Sequence, residues 1–436
     1  MIKTAVSTFI LATLFFIFPP VEKLKQEQPP SKDVTSKIEI LGRPFANKPL
    51  YARNVWDMQV FDDKIYLGYG NSSNKEPSPN AGPASIFYLD PTAKQFATQN
   101  VVNSQNTNEI KPYTDEEQID VFKVINGTLY IPGHDGRGEE WDYGNFYRLE
   151  NGSWVKYRNI PKAIHVYDMA SFQGKLFAAI GTSSTPDVLI SEDNGYSWSK
   201  VGSINALGPS RAYSLFQLKG NFYAAASMAL LPNEAMWADE TRFMFIDPAA
   251  TDGKGNIATS QTPVFTSKML PGIKNYKLDQ PAVYMKLVRT TAVSDKLLYI
   301  AGETYNDHQW LSRGLLVANN IDQARLIALP DPNALPMDIL VRNNIIYVLA
   351  YSASPTGPFI NTVYQTTAGN LEHDEKWIEL FHFQMDTFAR SFEEVNGDFY
   401  FGLGSLTEHI PASVGTILKV KGPFLKRAST PAPKSR

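Results

Sequence analysis

Short apolar stretches alternate with tight polar turns along this chain, and one version of that alternation returns seven times. Each copy is an apolar strand, a turn, an aliphatic residue or Phe, then Tyr or Phe. The first four run Phe61-Asp62-Asp63-Lys64-Ile65-Tyr66, Ile125-Asn126-Gly127-Thr128-Leu129-Tyr130, Phe172-Gln173-Gly174-Lys175-Leu176-Phe177 and Leu218-Lys219-Gly220-Asn221-Phe222-Tyr223. The others are Asp295-Lys296-Leu297-Leu298-Tyr299, Asn343-Asn344-Ile345-Ile346-Tyr347 and Asn396-Gly397-Asp398-Phe399-Tyr400. Two-residue hairpins need positive φ at the turn, which Gly, Asn and Asp adopt at least cost. Lys296 is the awkward member of the set. Each copy therefore predicts a β-hairpin, with the repeated aromatic residue in the core.

The aromatic positions 66, 130, 177, 223, 299, 347 and 400 are separated by 64, 47, 46, 76, 48 and 53 residues. Four strands with short turns fill about 40–50 residues in a propeller blade. The two long intervals then call for insertions, read as Asn71–Pro83 and Met228–Pro281. A second hairpin follows in several copies, as in Ile86–Asp90, in Phe146–Leu149 before Trp154, and in Val188–Ile190 before Trp198. The pattern predicts an all-β chain folded as a seven-bladed β-propeller over residues 37–423. A ring that stays open exposes two sheet edges. The last copy runs out after about three strands, and the orphan apolar segment Lys37–Leu41 is predicted to supply its outer strand.

Composition narrows the picture only a little. The 436 residues carry a net charge of −3, which lacks the basic footprint of a nucleic-acid binder. There is no cysteine, so disulfides and thiolate metal sites are excluded. Lys3 and the apolar run Ala5–Phe18 read as a signal peptide or membrane anchor over residues 1–20, the only membrane-directed segment. Residues 21–36 read as a flexible stalk, and the basic residues 424–436 as an unfolded tail. An extracytoplasmic location follows, whether periplasmic, surface-bound or secreted.

The second hairpin of the third copy reads Ser191-Glu192-Asp193-Asn194-Gly195-Tyr196-Ser197-Trp198. It resembles the Asp-box, or bacterial neuraminidase repeat, written S-x-D-x-G-x-T/S-W. The resemblance covers eight residues, with a degenerate echo at Glu150–Trp154. It implies the sialidase-like propeller superfamily, which includes glycosidases, polysaccharide lyases and carbohydrate binders. In such a turn Ser191, Asp193, Gly195 and Trp198 are structural, and the turn lies on the face opposite the active site. A sialidase carries Arg-Ile-Pro early in a six-bladed domain; here Asn159-Ile160-Pro161 stands without the arginine.

In a propeller, the loops before the innermost strands and after the second strands share one face. Side chains there that do not repeat are the better candidates for chemistry. That selects His134, His165, Arg211, Tyr213 and Glu303 as candidate catalytic groups, and Tyr69, Trp141 and Arg390 as candidate substrate contacts. Arginine can neutralise a uronate carboxylate while His or Tyr moves protons, as β-elimination requires. Bland readings stand beside these: His134 as a turn cap, His165 with Asp168 as an internal pair, Arg211 and Arg390 as partners of channel acids. Asp57, Asp120, Asp168 and Asp338 recur at like positions and read as structural. His134, Asp135, His165 and Asp168 could furnish nitrogen and oxygen ligands for zinc, but no spaced ligand motif exists, and no metal or cofactor is expected. The functional expectation is a propeller that binds or processes polysaccharide, as a lyase or glycoside hydrolase if it is an enzyme. The alternative is a non-catalytic scaffold for an envelope protein. Mutation of the histidines would separate the two.

Overall fold

The structure, a computed structural model, describes residues 32–73, 79–204, 211–226, 228–230, 243–251, 257–262, 266–271, 283–305, 309–353 and 358–422. Seven antiparallel-based sheets follow one another along the chain, each built from the repeated hairpin and the strands after it, and together they form a seven-bladed β-propeller. The innermost strands are Val55–Phe61, Lys123–Ile125, His165–Phe172, Ala212–Leu218, Val283–Val293, Leu335–Arg342 and Ala389–Val395. The seven repeated aromatics, Tyr66 to Tyr400, are all buried between sheets.

The hairpin turns follow their chemistry. Asp62 and Asp63, Asn126 and Gly127, Asn343 and Asn344, and Asn396 and Gly397 all have positive φ. The fifth turn sits one residue earlier than expected. Ser294 takes the left-handed conformation, at φ 55°, and Lys296 is already a strand residue paired with Val293. Lys296 therefore bears no strain.

Blade seven takes Ile38–Gly42 as its outermost strand, antiparallel to Ile417–Val420, with Ile38 opposite Val420 and Glu39 opposite Lys419. Residues 32–36, expected to belong to a stalk over 21–36, are joined to the propeller instead, and 21–31 lie outside the described residues. Val34 is buried, its N–H donates to the His382 carbonyl at 2.9 Å, and Thr35 accepts from the Gln384 N–H. The segments 1–20 and 424–436 lie outside the described residues, as does residue 423 at the expected domain end. Among the described residues no helix is long and apolar enough to cross a membrane.

The long intervals are filled differently from expectation. Blade two has six strands, because the hairpin Val101–Asn103 and Asn106–Lys111 adds to its outer edge through a parallel pairing with Ser153–Pro161. That hairpin, beyond Asn71–Pro83, accounts for the first long interval. The segment Met228–Pro281 is less an insertion than expected: it holds the third and fourth strands of blade four, Phe243–Thr251 and Ile257–Thr262. It also holds Met228–Leu230, which pairs with the inner strand of blade five.

Every junction between blades is fastened at the channel wall. Asp57 accepts the Phe122 N–H at 2.7 Å, Asp168 that of Leu215 at 2.8 Å, and Asp338 that of Phe392 at 3.1 Å. Ser214 donates to the Leu287 carbonyl and Ser391 to that of Val55. Lys123 pairs with Asp168 at 2.8 Å and Arg289 with Asp338 at 3.1 Å. The recurring acids Asp57, Asp168 and Asp338 are thus straps between neighbouring blades.

Candidate functional site at the channel mouth

Five inner strands carry the same irregularity near their start. Pairing skips one residue between Val55 and Asp57, Val166 and Asp168, Ala212 and Ser214, Pro336 and Asp338, and Ala389 and Ser391. The extra residue is Trp56, Tyr167, Tyr213, Met337 or Arg390. A β-bulge re-aims the side chain it leaves unpaired. Here the residue before each strap is turned out of the sheet repeat, so chemistry varies from blade to blade where the backbone does not.

Trp56, Tyr167, Tyr213 and Lys286 line the central channel, a cavity of about 550 Å³ that also meets Asp57, Asp120, Arg289 and Asp338. Lys286 is 6% exposed, and its ammonium lies over the Tyr213 ring, 4.3 Å from the centroid. Among the described residues it has no acid within ion-pair distance. Burial pushes its pKa down to about 8, against the opposing pull of Asp120. Tyr213 packs on Tyr167 with centroids 4.4 Å apart. Burial and Tyr213 hold the Tyr167 phenol well above its ordinary pKa, which keeps it neutral.

Arg289, from blade five, takes positive φ within a bulge and reaches across to Asp57 at 2.6 Å and to Asp338. Its guanidinium also donates to the Trp56 carbonyl. Burial pushes Asp338 up to about 7 even with this arginine beside it.

The expected histidine pair does meet, but beneath the rim. The rings of His134 and His165 are 6.0 Å apart, and Tyr167 lies 5.2 and 5.4 Å from them. His134 is 3% exposed and pairs through Nδ1 with Asp120 at 3.0 Å. His165 donates its Nδ1–H to the His134 carbonyl at 2.6 Å. The His165 bond therefore joins blade three to blade two, while the His134 ring is fixed within blade two. Asp120, expected to repeat the strap, instead accepts from His134 and Gln118. Burial raises its pKa, yet these partners hold it well below the usual carboxylate range.

Tyr213 approaches this pair through Tyr167, and Arg211 lies at the His165–Gly181 strand pair. Gly181, opposite His165, makes room for the arginine: a Cβ there would fall 2.1 Å from Arg211 Cδ. Glu303 is elsewhere, in an ion pair with Arg313 at 2.5 Å within blade five. Tyr69, expected to touch a ligand, is a core residue. It is fully buried, stacked on Phe45 at 4.0 Å, and its hydroxyl accepts the Ser85 N–H. Trp141 is 70% exposed on a blade-two loop, beside the exposed Tyr143. Arg390 is 1% exposed, 4.3 Å over the Trp56 ring, and donates Nη2–H to the Ser405 carbonyl at 3.2 Å. Its Nε and Nη1 are buried without an acceptor among the described residues.

In the turn on the other face, Asp193 accepts from the Ser197 N–H at 2.8 Å, the Ser197 hydroxyl and the Ser191 hydroxyl, while Gly195 has φ +92°. The Trp198 ring meets Phe146 edge-on at 5.9 Å. Lys286, Tyr167, Trp56 and Arg289 escaped the sequence-based selection. For Trp56 and Tyr167 the available signal was the position just before a recurring Asp, a signal that Lys286 and Arg289 do not share. Among the described residues no group of three or more His, Asp or Glu is placed to hold a metal ion.

No family model matches the chain, and no curated protein matches it. Solved structures similar to it include YCF48 bound to a D1 peptide, at 10% identity over 88% of this chain and 96% of that one, with a TM-score of 0.44. The polysaccharide lyase Uly1 is 11% identical over 85% of this chain and 90% of its own, with a TM-score of 0.44. A GH74 xyloglucanase from Xanthomonas campestris is 11% identical over 84% of this chain and 52% of its own, with a TM-score of 0.46. These likenesses carry no functional argument.

Proposed function

We propose that this protein is an exported or membrane-anchored propeller that binds a carboxylated saccharide, of the uronic-acid type, at its channel mouth and does not cleave it. The reading is carried by Lys286, a buried ammonium that lines the cavity against an aromatic ring and, among the described residues, has no acid within ion-pair distance, Asp120 acting on it from farther off. A buried cation without a counterion in contact is costly, and an anionic ligand beside it relieves that cost. Tyr167 and Tyr213, half-buried at the channel, offer aromatic surface to the apolar side of a pyranose. Arg390, short of two acceptors behind Trp56, adds positive potential. Cleavage lacks support because His134 and His165 are committed to a carboxylate and a carbonyl, and Glu303 to Arg313.

Titration calorimetry with an oligogalacturonate and its methyl ester tests this. The acid is expected to bind at least tenfold more tightly than the ester. Lys286→Met is expected to erase that preference, a change of about 1.4 kcal/mol. Equal affinity for acid and ester in the wild type, or release of unsaturated product, would overturn it. The exposed Trp141 and Tyr143 favour a second reading, a rim that seats a protein. That reading gains if Trp141→Ala abolishes capture of an envelope protein while saccharide binding is absent from the wild type.

A further inference from the structure

A second groove, of about 460 Å³, lies on the outer edge of blade two and shares no residue with the channel. One wall is the added hairpin, through Asn103, Ser104, Gln105 and Thr107; the other ends in Tyr196 of the eight-residue turn. Tyr196 is 61% exposed, yet it is held firmly. Its ring meets Tyr157 edge-on at 5.8 Å, and the buried Arg148 guanidinium lies 5.4 Å from its centroid. Asn159 Nδ2 donates to the backbone carbonyls of Gly195 and Tyr196 at 2.8 and 3.0 Å. An aromatic ring fixed before binding costs little entropy when a ligand stacks on it.

The charges in this groove are already spent. Glu150 accepts from Arg148 at 2.6 Å and from the Tyr157 hydroxyl at 2.7 Å. Arg158 pairs with Asp142 at 2.5 Å and with Glu139 at 3.5 Å. What remains among the lining residues is the amide of Gln105 and the hydroxyls of Ser104 and Thr107, both donor and acceptor, with the exposed Tyr196 ring on the other wall. Amides and hydroxyls satisfy polyol hydroxyls, and the ring takes the C–H face of a pyranose.

We infer that this groove is a binding site for a neutral oligosaccharide, separate from the anion-selective channel mouth. It differs from the channel in charge as well as place. The accessory hairpin gains a role beyond covering a sheet edge, since it builds the wall that makes the groove.

The full chain, titrated by saturation-transfer NMR with cellohexaose, xylohexaose and mannohexaose, tests the inference. At least one neutral oligosaccharide is expected to bind. Tyr196→Ala is expected to weaken it tenfold or more, Tyr196→Phe by less than threefold, and Lys286→Met not at all. No binding by any of the three sugars overturns the inference, as does binding that survives Tyr196→Ala or disappears with Lys286→Met. Oligogalacturonate binding in the Tyr196→Ala protein reports on the channel separately, so either site can fail alone.

Discussion

Burial and the Asp120 carboxylate pull the His134 pKa in opposite directions, and the net displacement is upward. A histidine whose folded pKa exceeds its unfolded value contributes stability that is complete below about pH 6.5 and is lost as pH rises through the folded value. Asp120, displaced downward, contributes above about pH 4 and loses that contribution in acid. The pair therefore stabilises most between those limits. His134→Gln is expected to cost about 1 kcal/mol more at about pH 5.5 than at about pH 9, the modest size reflecting a partly exposed carboxylate. Urea midpoints at the two pH values measure it, and equal losses would deny the charged pair. The meeting of His134 with His165 was legible in the sequence, because blade order makes the loops adjacent. Their burial was not, since adjacency does not say whether a ring points to solvent or to a carbonyl. Tyr69 misled for the same reason: its place at the end of a second strand is correct, but its ring turns inward onto Phe45.

The bulge and strap recur together in the inner strands and divide the work between neighbouring residues. Asp168 carries the strap to Leu215 and the ion pair to Lys123, while Tyr167 beside it lines the channel. Asp168→Ala is expected to cost about 2–3 kcal/mol, because a buried N–H and a cation both lose their acceptor. Asp168→Asn, which keeps a carbonyl oxygen for the N–H, is expected to cost less than half of that by the same denaturant assay. The straps were legible as repeated Asp, and the hairpin turns as Asn, Asp and Gly. Bulges were not, since an extra residue in one strand leaves no mark unless the blades are aligned by their straps. The hairpin Val101–Lys111 was missed because its polar, half-exposed strands lack the apolar face that marks the rest. At Gly195 a side chain is excluded twice, by φ +92° and by Phe146, whose Cζ would lie 2.8 Å from the new Cβ. Gly195→Ala is expected to lower stability by about 1–3 kcal/mol and to displace Tyr196 with it. A thermal melt reads the first effect, and weakened neutral-sugar binding reads the second.

As a whole the ring was well marked in the sequence, because seven copies of one hairpin leave few other ways to bury seven aromatics. Nothing comparable marks a ligand, since each bulged position differs from its neighbours and repetition cannot point to it. Closure rests on the pairing of Ile38–Gly42 with Ile417–Val420. The cysteine-free chain offers a direct check. Glu39→Cys with Lys419→Cys places one thiol on each strand directly opposite the other, a spacing that a disulfide spans. Oxidation is expected to raise the unfolding free energy by about 2–4 kcal/mol over the reduced protein. An unchanged midpoint would mean that unfolding does not begin at this seam.

The same seam has a topological corollary. With Ile38 and Val420 side by side, a short peptide could join the two strands, and the polypeptide could be severed instead at a surface hairpin such as Asn126-Gly127. The permuted product would have both termini in blade two and the same ring. The order in which the ribosome delivers the blades is then a convenience of synthesis, and any of the seven could serve as the first.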